Sequence, residues 1–413
     1  MRILLIHQYF LEDHDGGGSR WNEMSRIWTQ AGHEVTVLAG MVHYMGGRPE
    51  EYKGKYFVRK TNKDRVEVIR CHVSESYNQS FSGRLRAYFS FTFSSIRAGL
   101  FKVKGPYDLI IVTSPPLFVG ITALVLSWWK KTPFIFEVRD LWPESAIDTG
   151  VLTNKQLIRF AYWFEKIIYQ KACRINVLTP AFRDKLIMEK RVSPEKIIFI
   201  PNAADFAISE EVMRSFNSDR FRKEHALDGK FVITYVGAHG VANHLVQLLD
   251  AAEMLGNTPV YFLLIGDGMQ KKMLMADAEK RKITNIRFVD PVSKREVFKY
   301  ILASDMGISV LKNVATFKTI YSNKTFDYFS CKKPVLIAID GISRQLVEEA
   351  DAGMYIEPEN TGDFVNKILF CSAHPETIKQ QGENGYTFAR KHFDRGVLAK
   401  RYLEYIEEAI RKI

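Results

Sequence analysis

The chain has 413 residues, 46% hydrophobic and 25% charged, enough for two or three domains that each bury a core. Those fractions exclude a disordered, collagen-like or disulfide-stapled chain. A formal net charge of +11 and an aromatic content of 13% point instead to an anionic partner: nucleic acid, a phosphorylated small molecule or a lipid surface.

Taken in chain order, Ile3–Phe10 reads as a first strand, and Gly16-Gly17-Gly18-Ser19-Arg20 opens a helix over Ser19–Ala31. Strands follow at Glu34–Ala39, Val66–Val73, Asp108–Thr113, Phe134–Val138, Ile175–Thr179 and Ile197–Pro201, with helices at Leu85–Phe101, Leu117–Trp129 and Lys155–Lys171. The run from Leu109 to Trp129 carries no charge, but Pro115-Pro116 and Gly120 break it into a strand, a turn and a helix rather than a membrane span. After Pro201-Asn202 a polar, irregular stretch is expected to about Gly229. The pattern then restarts with strands at Phe231–Gly237, Val260–Gly266, Ile286–Asp290, Met306–Val310, Pro334–Ala338 and Met354–Ile356. Helices Val246–Leu255, Lys294–Ala303 and Arg344–Ala350 alternate with them, and Glu376–Ile413 reads as amphipathic helix.

Continuous Val/Ile/Leu runs separated by helices mean strands buried on both faces and right-handed βαβ crossovers. The fold class is α/β, with two Rossmann-like doubly wound domains, 1–202 and 203–385, facing across a cleft. The helix at 386–413 is expected to return toward the first domain. Such sheets bind ligands at the carboxyl ends of their strands, so the residues just after strands are the candidates. The four cysteines are widely spaced and form no CxxC or Cys/His cluster, so they read as buried thiols of a reducing compartment. The apolar start is too short for a signal peptide.

Three glycine turns stand at strand ends. Gly17 and Gly18 precede a helix N-terminus without the spacing of a dinucleotide or P-loop motif. Gly237-Ala238-His239-Gly240 and Gly266-Asp267-Gly268 repeat the design, and as single motifs each is equally read as a strand-to-helix turn. Ser322-Asn323-Lys324-Thr325-Phe326-Asp327 is sharper. A helix opening there directs N–H groups at a phosphate, Lys324 neutralises it, and Asp327 on the same face can accept ribose hydroxyls. A solvated Lys324/Asp327 pair is the plain alternative.

With Pro201-Asn202-Ala203-Ala204-Asp205 at the domain junction and Arg139-Asp140-Leu141-Trp142-Pro143-Glu144-Ser145 in the first half, the chain resembles the family-4 glycosyltransferases of the GT-B fold. The second segment is similar to the bacterial capsule and O-antigen branch that transfers amino-sugars of the N-acetylfucosamine type. The resemblance implies a retaining transfer from a UDP-sugar co-substrate, with no metal or other cofactor. The donor would lie in the second domain and a lipid-linked, polyprenyl-diphosphate saccharide acceptor in the first. It places the family's ribose-binding glutamate at Asp327 and that motif's first glutamate at Thr319. It puts Ala238 and Asn243 where many members carry diphosphate-binding cations, leaving Lys324 and then Arg20 to supply the charge. The family's His-Asp pair reads Arg139-Asp140 here. The expected catalytic set is Lys324, Arg139 and Asp140. Gly17, Gly18, Gly237, His239, Gly266, Asp267, Lys324, Thr325 and Asp327 would bind the donor, and Arg20 and Glu144 the acceptor.

The surplus charge clusters with aromatics in Phe81–Lys104, which has no acidic residue, and in Trp128-Trp129-Lys130-Lys131. These are residues that settle at a lipid–water interface, so the expected partner is an anionic membrane rather than nucleic acid. The expected location is cytoplasmic, on the inner face of the cell membrane. A UDP-sugar 2-epimerase of the same fold, or an inactive scaffold subunit, are the competing functions.

Overall fold

A computed structural model describes residues 1–12, 20–42, 47–76, 81–148, 150 and 152–411. They divide into two compact units, residues 1–12, 20–201 and 396–411 in the first and 202–395 in the second.

The first unit is built on an eight-stranded sheet of β1 (Arg2–Ile6), β2 (Glu34–Gly40), β3 (Phe57–Thr61), β4 (Glu67–Cys71), β5 (Leu109–Ser114), β6 (Phe134–Val138), β7 (Arg174–Val177) and β8 (Ile197–Phe199). Their spatial order is β3-β4-β2-β1-β5-β6-β7-β8, and all pairs but one are parallel. Every residue of β5 and β6 is buried, as strands covered by helices on both faces must be. The crossover helices are α1 (Arg20–Gln30), α2 (Phe81–Phe101), α3 (Val119–Lys130), α4 (Glu144–Asp148), α5 (Lys155–Lys171) and α6 (Pro180–Met188). Asn154 caps α5 by accepting from the Gln156 and Leu157 amides, and Thr179 caps α6 just before Pro180. The strand that sequence patterning misses is β3. It pairs antiparallel with β4 at the sheet edge, and its Arg59 and Lys60 interrupt the apolar run on which a buried strand is recognised.

In the second unit the stretch expected to be irregular forms α7 (Phe206–Ser215) and α8 (Ser218–Glu224). Asn217 caps α8, and Phe206, Val212 and Phe221 are the buried apolar residues that hold both helices down. Six parallel strands follow: β9 (Phe231–Val236), β10 (Val260–Ile265), β11 (Ile286–Val289), β12 (Met306–Val310), β13 (Val335–Ala338) and β14 (Gly353–Tyr355). Their order is β11-β10-β9-β12-β13-β14. Helices α9 (Val246–Met254), α10 (Lys271–Lys280), α11 (Lys294–Ala303), α12 (Asn323–Ser330), α13 (Ile342–Glu349), α14 (Thr361–Ala373) and α15 (Pro375–His392) complete it.

The last helix, α16 (Arg395–Arg411), enters the first unit at Gly396, so α15 stays whole in the second. Trp28 Nε1 donates to Ala399 O at 2.9 Å, and the Tyr402 ring packs 5.6 Å from Trp28 and 6.0 Å from Trp21. Among the described residues no helix is long and apolar enough to cross a membrane.

Candidate active site

Each sheet has one place where its strand order reverses, β1/β5 in the first and β9/β12 in the second, and open α/β sheets take ligands there. In the second unit the reversal lies beneath Gly237. The turns after β9 and β10 interlock: Gly237 N donates to Ile265 O and His239 N to Asp267 O, both at 2.9 Å. Gly237 and Gly266 both sit at φ +142°, and a Cβ on Gly266 would lie 2.0 Å from Gly237 O. The glycines are therefore demanded first by this backbone-to-backbone contact. Asp267 is exposed, and its carboxylate accepts from the next amide, Gly268 N, at 2.8 Å.

Helix α12 approaches the same spot. A Cβ on Gly307 would fall 2.3 Å from the Tyr328 ring, so glycine admits the helix against β12. Tyr328 Oη accepts from Val236 N at 3.1 Å and donates to Thr234 O at 2.9 Å, tying α12 to the end of β9. That docking sets Lys324 over the turn, with its Nζ 4.9 Å from the Tyr235 ring centroid and its Cε 3.4 Å from where a Gly237 Cβ would stand. Lys324 is half-buried, and loss of water pushes its ammonium down to about 8, an effect that Asp327 partly offsets.

Two polar groups of this helix and of the turn after β9 have no protein partner among the described residues. Thr325 Oγ1 is buried with none, and neither ring nitrogen of the buried His239 finds one. Burial, reinforced by Lys271, holds His239 down to about 4, so its imidazole is neutral at pH 7. Asp327 is engaged by Lys294, whose Nζ lies 2.6 Å from Oδ1, and Thr319 spends its hydroxyl on Thr316 O at 2.7 Å.

In the first unit His7 ends β1, and its Nδ1 lies 2.7 Å from Thr113 Oγ1 on β5. Burial, with Arg139, Arg70 and Arg20 adding to it, keeps this imidazole well below its ordinary value. Arg139 and Asp140 follow β6 at the same end of the sheet. The Asp140 carboxyl is pushed up by burial and accepts from Ser145 Oγ at 2.9 Å. Two of the expected residues are engaged in ion pairs within the unit. Arg20 is 4% exposed, its guanidinium gripping Glu137 at 3.1 and 3.0 Å and donating to the Ile200 and Pro201 carbonyls. It clamps the end of the sheet. Glu144 likewise pairs with Lys190 at 2.6 Å, and Lys190 also holds Glu165 at 2.6 Å. One cation thus serves two carboxylates, and burial pushes Glu165 up to about 7 against the pull of Lys190. Gly17 and Gly18 lie outside the described residues.

Sequence reasoning passed over Lys271, Lys294 and Lys190. Lys271 donates to Gly266 O at 2.9 Å and to Asp290 at 2.6 Å, stapling the ends of β10 and β11. Its position one helical turn after Gly266-Asp267-Gly268 was the signal available. For Lys190 and Lys294 the partners lie 25 and 33 residues away, with nothing local to mark them.

Residues 15–203 match the family described as glycosyl transferase 4-like domain, and residues 217–388 match glycosyl transferases group 1. The chain is 25% identical over 295 residues to the putative colanic acid biosynthesis glycosyl transferase WcaI of Escherichia coli, covering 70% of this chain and 71% of that one. It is 23% identical over 261 residues to the probable glycosyltransferase WbjE of Pseudomonas aeruginosa, covering 61% and 63% of the two chains. Among solved structures, a sucrose-phosphate synthase from Thermosynechococcus elongatus superposes with a TM-score of 0.75 at 14% identity over the full length of both chains. Anabaena HepE, solved with UDP and glucose, gives 0.72 at 16% identity over 99% of this chain and 100% of that one.

Proposed function

We propose, from the premise that this chain belongs to the glycosyltransferases built of a 4-like domain followed by a group 1 domain, that it transfers a sugar from UDP to a lipid-linked saccharide in bacterial polysaccharide synthesis. The observation that carries the donor half of this reading is Lys324. A half-buried ammonium stands over the strand-order reversal, beside the opening of α12. A desolvated cation there favours a diphosphate, which restores the charge balance that burial took away. HepE, of the same fold, is solved in complex with UDP and glucose.

In the proposed step the bond between the sugar C1 and the diphosphate oxygen breaks, and the new bond forms from C1 to an acceptor hydroxyl on the same face, with retention. The acceptor proton passes to the departing phosphate. Lys324 stabilises the charge that grows on that oxygen, so the contribution is electrostatic and needs neither a metal nor a covalent protein nucleophile. Asp327, released from Lys294, accepts the ribose hydroxyls. Arg139 and Asp140 orient the acceptor in the first unit. An N-acetylated amino-sugar is the proposed donor sugar. The helix pair α2 and α3, with Phe81–Lys104 and Trp128–Lys131, sets the chain against the inner face of the cell membrane, where such an acceptor resides.

The experiment is a thermal-shift screen over nucleotide-sugars followed by transfer assays with Lys324→Ala. The expected result is stabilisation by a UDP-sugar and a turnover reduced by about 100-fold in the variant, as when one such stabilising donor is removed. Turnover at the parent rate would sink the Lys324 assignment. Conversion of a UDP-sugar with no acceptor present would identify an epimerase instead.

A further inference from the structure

Three helices of the first unit lie side by side, α2 against α3 and α3 against α5. Large apolar side chains stand in solvent on all of them: Phe93 and Phe101, Trp128 and Trp129, and on α5 Leu157, Phe160 and Trp163, the last 57% exposed. These rings are not scattered. Phe93 stacks toward Phe89 (6.5 Å), Phe89 on Phe118 (4.6 Å), Phe118 on Phe164 (6.4 Å) and Phe164 on Phe160 (6.2 Å). The outer rings of α2 and α5 are thus two ends of one aromatic layer.

Helix α5 is the least expected part of it. Ala161, Phe164 and Ile168 form the buried stripe that any sheet-covering helix needs. Leu157, Phe160 and Trp163 run at three-residue spacing from the edge of that stripe toward the solvent side and are 45%, 46% and 57% exposed. The charges that α5 itself exposes have one sign, with Asp148 an acidic neighbour near Tyr162. Lys155, Arg159, Lys166 and Lys171 are exposed, while Glu165, the only acidic residue of the helix, is buried on Lys190. An apolar ridge ringed by cations, with its one carboxylate turned inward, is complementary to an anionic bilayer surface: the ridge enters the acyl boundary and the cations meet phosphates.

We infer that α5 is a third, inserting arm of the lipid-facing surface, with Leu157, Phe160 and Trp163 entering the interfacial region of an anionic bilayer. This rests on the reading that the chain works at a membrane. It adds α5 to the apolar part of the attachment, beside the exposed rings of α2 and α3.

Co-sedimentation of the full chain with phosphatidylglycerol-containing vesicles, compared with pure phosphatidylcholine vesicles, tests it. The parent chain partitions onto the anionic vesicles, and Phe160→Ser/Trp163→Ser lowers that partitioning by about tenfold or more. An unchanged thermal shift with UDP shows that the variant is folded. Equal partitioning of the folded variant overturns the inference. If Trp128→Ser/Trp129→Ser releases the chain while the α5 variant does not, the membrane reading stands and only the role of α5 falls. A parent chain that ignores both vesicle types refutes the membrane reading itself. Self-association that the α5 variant disperses would mean the face receives a second copy instead.

Discussion

The strand-order reversals of the two sheets are built alike and charged differently. In the first unit three cations are paired inside the protein: Arg20 with Glu137, Arg70 with Glu12 at 2.9 Å, and Lys190 with Glu144 and Glu165. In the second, the turns after β9 and β10 lock each other through backbone groups alone, and polar side chains are left over around them: Lys324, Thr325 Oγ1 and both nitrogens of His239. Matched buried charges fix a structure, whereas desolvated and unmatched ones cost stability unless a ligand completes them. The contrast separates paired charges that hold the first unit together from the unpaired polar groups on which the proposed donor site rests.

The largest test of it removes a matched partner. Glu137→Ala leaves Arg20 buried beside two carbonyls and should cost about 3–5 kcal/mol of stability, read from denaturant unfolding. A loss under about 1 kcal/mol would mean that the clamp is not structural. Next comes the interlock. Gly266→Ala forces a side chain into φ +142° and against Gly237 O, and should cost roughly 1–3 kcal/mol in backbone strain before any clash is relieved. Nucleotide-sugar affinity should fall with it; a variant that melts and binds like the parent breaks the account of both turns.

The third test uses pH. Lys324 has its folded value lowered to about 8, so its burial penalty is fully present below pH 8 and is relieved as pH rises above it toward the ordinary lysine range. Lys324→Met should therefore melt higher than the parent at pH 7, with the gain shrinking above pH 8. UDP affinity of the parent should weaken over the same interval, because the neutral amine no longer pairs with the diphosphate. A flat UDP titration from pH 7 to pH 9.5 would count against the pairing. The smallest effect concerns Glu165, whose folded value is raised to about 7. Its share of stability is present below pH 4.5 and is lost as pH rises to about 7, so Glu165→Gln should flatten that slope in the melting temperature.

How much of this was legible in the sequence follows from the range of the interactions. Buried parallel strands announce themselves within five or six residues, and β6, β12, α5 and α11 stand where periodicity puts them. The edge strand β3 was hidden because its charged residues belong to solvent, and α7 and α8 because their apolar stripes are thin. At the site, Lys324 beside the second glycine turn was foreseeable from a helix that opens after a strand. The fate of Arg20 was not. Its partner is 117 residues away, and a loop-proximal arginine gives no local sign of being neutralised.

The closing helix α16 bears on synthesis as well as on packing. Trp21 and Trp28 rest on Tyr402, which is made long after them. At about 5–20 residues per second, the first unit waits roughly 20–75 s between making Trp28 and completing the wall that covers it. For about half of that interval the second unit is being translated while two large indoles of the first lack their cover. Nascent chains caught before residue 396 should accordingly be the ones that chaperones hold.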